Sequence, residues 1–128
     1  MTLQVSLVVP DRELWSGEAR TVIAKTTEGD IGVLTGHSPV FGVLAEGSLV
    51  EIVRGDETRV RAAVSGGFLS VADDKVSILA AEAELAEDVD VSAARQSLDE
   101  APAGPSAGEE SAEAKYARAL LRAAGDQA

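Results

Sequence analysis

The chain has 128 residues, enough for one domain or for a small domain with an appendage. Its net charge of −11 argues against nucleic acid and anionic lipid as direct partners, because both are bound by clustered lysine and arginine. The absence of cysteine excludes disulfides, thiolate metal sites and a cysteine nucleophile. Aromatic residues make up only 3% of the chain, so we expect a core of aliphatic side chains.

The N-terminal segment lacks the basic region and the long apolar stretch of a signal peptide. No apolar run approaches the roughly 18 residues that a membrane-spanning helix needs. We therefore expect no direct membrane insertion, and any association with a membrane should come through another protein.

The first third of the chain has the alternation of apolar and polar residues that is typical of half-buried strands. Residues 3–9 alternate until Pro10, and residues 19–26 alternate again. Between them, Ser16-Gly17 predicts a turn. Residues 28–39 then mix glycines with aliphatic residues, which is typical of a bulge, an unusual backbone conformation or a close backbone approach. We expect a surface ridge there, with polar tips at Glu28, Asp30 and His37.

Further short strands are predicted up to about Leu85, separated by turns. The sequence Gly66-Gly67 before Phe68 indicates a bulge or a crossover where two sheets approach closely. We expect Phe68 in the core, because large aromatic side chains dominate burial. Regularly spaced strands predict an all-β sandwich or barrel. The strands expected in this part of the chain cover residues 40–44, 48–53, 58–64, 68–72 and 75–80, with hairpin connections at 54–57 and 73–74.

The composition changes after residue 86 to alanine, glutamate and serine. We therefore predict a β-sandwich domain over residues 1–86 and a helical hairpin over residues 87–128, with helices at about 91–101 and 109–124 and a Pro/Gly linker at 102–108. Asp90 is placed to cap the first helix, and Ser106 with Glu109 to form a capping box for the second.

The second predicted helix has two distinct faces. One face is apolar and carries Tyr116, Ala119, Leu120 and Ala123. The other is basic and carries Lys115, Arg118 and Arg122, which we call the basic stripe. Two short helices by themselves are only marginally stable in water, so the hairpin should depend on a partner surface.

The sequence lacks the residue patterns of an enzyme. His37 is the only histidine, and no serine lies in a Gly-x-Ser-x-Gly setting. Gly66-Gly67 is not followed by the Lys-Ser/Thr of a phosphate loop, and the paired carboxylates are typical of turns and solvated surfaces. We expect no catalytic residue, metal or cofactor, and interpret the chain as a binding or coupling module.

Several motifs, in order, resemble one family over about residues 3–92. Residues 28–39 are similar to the loop pattern EGxxGVLPGHxP of the ε subunit of rotary F-type ATP synthases, residues 65–71 to its SGGFLEV, and residues 86–90 to the joint that follows its sandwich. The resemblance implies a ten-stranded β-sandwich followed by a two-helix hairpin. It also implies a non-catalytic rotor subunit on the cytoplasmic face of the bacterial plasma membrane, which couples proton-driven rotation to ATP synthesis.

The resemblance further implies partners for particular residues. Glu28, Gly29 and Asp30 correspond to the contact with the membrane c-ring, although Asp30 also suits a solvated turn. His37, Ser38 and Trp15 correspond to the contact with the γ subunit. For His37 the alternative is a hydrogen bond that stabilises its own loop, and for Trp15 it is the edge of the sandwich.

The basic stripe corresponds to cations of the family's second helix that transiently meet an acidic segment in the α/β catalytic head and restrain ATP hydrolysis. A solvated helix face is the alternative for Lys115, Arg118 and Arg122. Two departures from the family matter. Thr35 replaces the usual proline, and of the ATP-binding pattern of some bacterial members only Arg95 survives, so nucleotide binding is not expected.

A function of another class stays open at this point, namely a free-standing β-sandwich that binds a small ligand and carries a disordered acidic tail. That alternative requires a cavity inside the sandwich. A core rich in alanine and valine should close without leaving one. The rotor subunit instead requires surfaces for other subunits.

Overall fold

The computed structural model describes residues 2–105 and 108–125, and in this range ten strands precede two helices. The strands are β1 (Leu3–Val9), β2 (Arg12–Ala19), β3 (Thr21–Thr26), β4 (Gly29–Val33), β5 (Val40–Leu44), β6 (Ser48–Val53), β7 (Arg59–Val64), β8 (Gly67–Ala72), β9 (Lys75–Ala80) and β10 (Ala83–Leu85). A 3₁₀ turn (Ala86–Asp88) leads to helices α1 (Val91–Glu100) and α2 (Ala112–Ala123).

The strands form two layers that share one hydrogen-bonded path, in the order β10-β7-β6-β3-β5-β8-β9-β1-β2, with β4 paired to β3. The layers meet where β3 pairs with β5 through a single pair of residues, Thr26 and Leu44. All pairings are antiparallel except that of β1 with β9. The predicted fold, a ten-stranded β-sandwich with a helical appendage, is confirmed.

Aliphatic side chains fill the space between the layers, as the scarcity of aromatic residues predicted. Each strand contributes alternate residues because successive side chains of a strand point to opposite faces. The largest of these side chains that are fully buried include Leu3, Leu7, Ile52, Leu69 and Ile78.

The turn predicted at Ser16-Gly17 is wrong. β2 runs without interruption from Arg12 to Ala19 and pairs with β1, with Gly17 opposite Val5. The chain reverses earlier, at residues 10–11. Gly17 instead leaves room for the indole of Trp15, since a Cβ atom on Gly17 would lie 3.1 Å from Cη2 of that ring.

Gly67 approaches other backbone closely, but that backbone belongs to the neighbouring strand β9 and not to a second sheet, and the burial expected for Phe68 is wrong. A Cβ atom on Gly67 would lie 1.9 Å from the carbonyl oxygen of Leu79, so no side chain fits there. Along β8, Leu69 and Val71 take the buried positions. Strand alternation therefore turns Phe68 outward, where it is 46% exposed.

Both helices have capped N-termini. The Oδ1 atom of Asp90 accepts a hydrogen bond of 3.1 Å from the backbone N–H of Ala93, as the sequence indicated for α1. The second helix begins at Ala112 rather than near 109, and its N-cap is Ser111, whose hydroxyl accepts from the backbone N–H of Ala114 at 3.2 Å. Ser106, the N-cap expected from sequence, lies outside the described residues.

The backbone conformation of residues 108–110 explains why α2 begins later than the sequence predicted. Gly108 has a φ of +80°, which a helix does not accept, and Glu110 forms an isolated antiparallel bridge with Ala103. The residues immediately before Ser111 are therefore turned and extended rather than helical.

The hairpin lies against the sandwich, with α2 on the outer face of β7 and β6. The contact buries Ala119 and Ala123 against Ala63, and half-buried Tyr116 and Leu120 pack beside them. This is the apolar face predicted for the second helix. Within the described residues, no helix has both the length and the apolar character needed to span a bilayer.

Candidate interaction surfaces

Three residues expected at the c-ring contact, Glu28, Gly29 and Asp30, lie at the exposed tip of the β3–β4 hairpin. The hydroxyl of Thr26 organises this tip. It donates a hydrogen bond of 2.7 Å to the carbonyl oxygen of Gly29 and accepts one of 3.2 Å from the backbone N–H of Glu28. Gly29 has a φ of +124°, a conformation that favours glycine. The tip is thus a shaped, acidic projection.

His37 and Ser38 lie at the other end of β4, in the loop of residues 34–39. At about 3.3 Å per residue, the five residues of β4 separate this loop from the tip by roughly 13 Å. The segment expected to form one ridge therefore forms two separate surfaces. The loop is tied to the β8–β9 turn, because the backbone N–H of Gly36 donates to Oδ1 of Asp74 at 2.7 Å.

The ring of His37 is engaged within its own loop. Its Nδ1 atom lies 2.7 Å from the carbonyl oxygen of Ser38, and its backbone N–H donates to the carbonyl oxygen of Leu34 at 3.1 Å. These contacts are those of the loop-stabilising alternative. Ser38 is exposed beside it. Trp15 is half-buried against the core, at the edge of the sandwich.

A row of apolar side chains crosses the outer face of four neighbouring strands. Val43 of β5 is paired with Phe68 of β8, Phe68 with Leu79 of β9, and Leu79 with Val8 of β1. Phe41, 66% exposed, stacks on Phe68 with ring centroids 5.4 Å apart. We call these five residues the apolar row.

The sequence analysis missed the apolar row. Period-two alternation contained the signal, because placing Leu69 and Val71 inward requires Phe68 to face outward. The sequence did not reveal the register, which aligns outward-facing residues of four strands across one face.

The basic stripe is partly covered in the docked hairpin. Nε of Arg118 forms an ion pair with a carboxylate oxygen of Glu110. The backbone of Lys115 packs on Gly47, where a Cβ atom would lie 2.3 Å from the Lys115 carbonyl carbon. Arg122 is exposed and, with Lys25, lines a cavity of about 260 Å³.

A cleft of about 580 Å³ lies between the hairpin and β10. It is outside the sandwich, whereas the ligand-binding alternative required a cavity inside. Its lining is strongly acidic and includes Glu82, Glu84, Asp90, Glu100 and Glu113. Half-buried Tyr116 lines it too, and burial together with the charges of Glu84 and Glu82 raises the pKa of Tyr116 to about 12.

Among residues 2–105 and 108–125, no group of three or more histidine, cysteine, aspartate or glutamate side chains is arranged to hold a metal ion.

Comparison with known proteins identifies the family. A family model described as the beta-sandwich domain of the ATP synthase delta/epsilon chain matches residues 2–86. The chain is 55% identical over 98 residues to the ATP synthase epsilon chain of Rhodococcus opacus, covering 77% of this chain and 80% of that protein. The chain belongs to the ATP synthase epsilon chain family. The family resemblance seen in the sequence is thereby confirmed.

Other epsilon chains are similarly close. That of Thermobifida fusca is 57% identical over 98 residues, which are 75% of this chain and 72% of that protein. That of Streptomyces coelicolor is 54% identical over 99 residues, which are 77% of this chain and 79% of that protein. As a member of this family, the chain is an epsilon subunit of ATP synthase.

Two solved assemblies contain chains of similar fold. One is the mitochondrial ATP synthase of Euglena gracilis, described as OSCP/F1/c-ring in rotational state 1, with a TM-score of 0.73 and 25% identity over 97% of this chain and 79% of that chain. The other is the central stalk/c-ring of the Tetrahymena thermophila mitochondrial ATP synthase, with a TM-score of 0.58 and 18% identity over 97% of this chain and 91% of that chain. The second shows the fold alone.

The cleft does not fit the nucleotide that some bacterial epsilon chains bind. ATP carries several negative charges, which require cationic side chains or backbone N–H groups around the phosphates. Among the residues that the structure describes, those that line the cleft include several carboxylates and neither lysine nor arginine. Arg95, the residue left from the ATP-binding pattern, is exposed on α1 and is absent from that lining.

Proposed function

We propose that this epsilon chain is a non-catalytic rotor subunit that couples proton-driven rotation of the c-ring to ATP synthesis in the catalytic head. It acts as a peripheral protein on the cytoplasmic face of the bacterial plasma membrane. The apolar row is the observation that carries the proposal, because a coupling subunit must be held firmly by its neighbours.

The apolar row is the proposed binding surface for the γ subunit. Monomeric proteins rarely expose contiguous apolar patches unless these bind a partner, and aromatic anchors supply much of the energy of an interface. Phe41 and Phe68 supply such anchors. The loop of residues 34–39 leads directly into β5 and brings Ser38 to the rim of this surface, with His37 holding the loop in shape. Trp15 lies on β2, the last strand of the same layer, and packs against the core.

The β3–β4 tip is the proposed contact with the c-ring. It projects from the sandwich, presents the carboxylates of Glu28 and Asp30, and is held by the hydroxyl of Thr26. Its separation from the loop of residues 34–39 allows one small domain to engage two partners at once. Two separate contacts transmit torque better than one because they resist rotation about either contact.

The hairpin is the proposed site of weak, salt-sensitive inhibition of ATP hydrolysis. The basic stripe offers Lys115, Arg118 and Arg122 to an acidic segment of the catalytic head. Binding through exposed charges falls as salt screens them. The hairpin lies on β6 and β7 through its apolar face, so Arg122 of the basic stripe stays exposed while the hairpin is docked.

The γ contact is tested with the double variant Phe41→Ser/Phe68→Ser. We expect the affinity of the full chain for the γ subunit to fall by roughly 30-fold or more, because truncation of an aromatic hot spot costs about 2 kcal/mol or more. Binding is measured by titration of purified γ subunit, and circular dichroism checks the fold.

The matched control is Ile23→Ser, which removes another exposed apolar side chain, 38% exposed, from β3, outside the apolar row. It should leave the affinity for the γ subunit unchanged. Equal affinities of the wild type and of the double variant would contradict the proposed binding surface for the γ subunit.

A further inference from the structure

One carboxylate lies on the basic stripe. Glu110 lies between the linker and the N-cap of α2, and one of its carboxylate oxygens accepts a hydrogen bond from Nε of Arg118, eight residues further along the chain. Arg118 is the central member of the stripe. Neither side chain of this ion pair is fully solvated, since they are 33% and 42% exposed.

The backbone holds Glu110 in this position. Glu110 forms an antiparallel bridge with Ala103, which draws these two positions together. Gly104 permits this close approach, because a Cβ atom there would lie 1.9 Å from the carbonyl oxygen of Glu109. On the other side Ser111 is buried and caps α2. Because the backbone of Glu110 is already fixed in this way, forming the ion pair orders less of the chain than it would in a free linker.

We propose that Glu110 is an internal competitor for the basic stripe, occupying Arg118 so that an acidic peptide segment of a partner subunit must displace it. Glu110 and an acidic segment of a partner would compete directly, because both bind the guanidinium of Arg118 through a carboxylate. The docked hairpin is thus a self-masked state. This inference rests on the proposed inhibitory role of the stripe.

The remaining cations of the stripe have different surroundings. Lys115 is half-buried, with its backbone against Gly47, and Arg122 is exposed at the C-terminal end of α2. The ion pair with Glu110 therefore covers the central cation of the stripe, Arg118, and leaves Arg122 accessible to a partner. A partner should bind weakly through Arg122 and more tightly once Glu110 is displaced.

The test replaces Glu110 with Gln in the full-length chain, which keeps the side chain's shape and removes its charge. We expect the variant to bind a synthetic peptide of alternating glutamate and aspartate about two- to five-fold more tightly at low salt, because exposed ion pairs contribute about 0.2–1 kcal/mol. Inhibition of ATP hydrolysis by the assembled head should strengthen by a similar factor. Both gains should disappear at high salt.

Two controls separate masking from other effects of the lost charge. Glu109→Gln removes the neighbouring carboxylate, which is exposed. Glu113→Gln removes an exposed carboxylate from the first turn of α2, where it acts on the helix dipole. Neither control should change peptide affinity. Tighter binding by Glu113→Gln equal to that of Glu110→Gln would overturn the masking and assign the effect to overall charge.

The triple variant Lys115→Ala/Arg118→Ala/Arg122→Ala distinguishes this inference from the proposed function. If the triple variant abolishes peptide binding and inhibition while Glu110→Gln behaves as wild type, masking is wrong and the inhibitory stripe stands. If the triple variant inhibits ATP hydrolysis as well as wild type, the inhibitory role is wrong, and peptide affinity alone decides whether Glu110 masks Arg118.

Discussion

The sandwich core and the contact between hairpin and sandwich are built from different side chains. The core packs leucine, isoleucine and valine, many of them with no exposed surface, whereas the hairpin docks through alanines such as Ala63, Ala119 and Ala123. Full burial of a branched aliphatic side chain contributes about 1.5–3 kcal/mol, and each buried CH₂ contributes about 0.8 kcal/mol. The difference indicates that apolar burial stabilises the sandwich core more strongly than it stabilises the contact between hairpin and sandwich.

The largest effect is expected from a substitution that creates a cavity in the sandwich core. Ile78 is fully buried between the layers, so Ile78→Ala should lower the free energy of unfolding of the whole chain by about 2–5 kcal/mol. Denaturant unfolding followed by circular dichroism measures this change.

The matched change in the hairpin is Ala119→Gly. It should loosen α2 by about 1 kcal/mol and leave the unfolding of the sandwich nearly unchanged. If Ala119→Gly lowers the free energy of unfolding of the sandwich by the full amount of about 1 kcal/mol, sandwich and hairpin unfold as a single unit.

An effect smaller than that of Ile78→Ala is expected from Gly47→Ala, which strains the backbone at residue 47 and disturbs the contact between hairpin and sandwich. The new Cβ atom would lie 2.3 Å from the carbonyl carbon of Lys115, so α2 must move away. Overpacking of this kind costs about 1–3 kcal/mol. We expect faster hydrogen exchange over residues 112–123, with the strands still protected.

The control for Gly47→Ala is Gly36→Ala. Gly36 also has a positive φ, +82°, but a Cβ atom there would have no neighbour within 4 Å. It therefore reproduces the backbone strain without the collision with α2. Fast exchange of α2 in both variants would contradict the role of Gly47 as the contact point.

The smallest effect concerns pH. Burial and the charges of Glu84 and Glu82 raise the pKa of Tyr116 to about 12 from its ordinary value of 10.0, so the docked hairpin keeps a proton that the released hairpin loses. The contribution of Tyr116 to docking is therefore complete below pH 10 and is lost as the pH rises towards 12. After allowance for solvent screening we expect a loss of about 1 kcal/mol.

Amide exchange is too fast at this pH, so the fluorescence of a dye attached to α2 is the suitable measurement of hairpin release. Tyr116→Phe removes the titrating hydroxyl and keeps the ring, and it should remove the dependence between pH 10 and 12. A variant that releases its hairpin over the same pH range as wild type would assign the effect to lysine deprotonation instead.

The sequence by itself determined what depends on neighbours along the chain. Alternation located the strands, Asp90 marked the start of α1, and helical spacing separated the apolar face of α2 from its basic face. The turn at residues 73–74 was also predictable, because aspartate tolerates the positive φ that both Asp73 and Asp74 adopt. The prediction at Ser16-Gly17 was wrong because Gly17 serves the packing of Trp15, which is a tertiary demand.

Only the tertiary structure decided how distant segments meet. The register of β5, β8, β9 and β1 aligns the apolar row, and β4 separates the two surfaces that the sequence presented as one ridge. Likewise, the fold of the linker brings Glu110 onto Arg118. Local propensity carries no information about these contacts, because each depends on pairings between residues that chain entropy keeps apart until the fold forms.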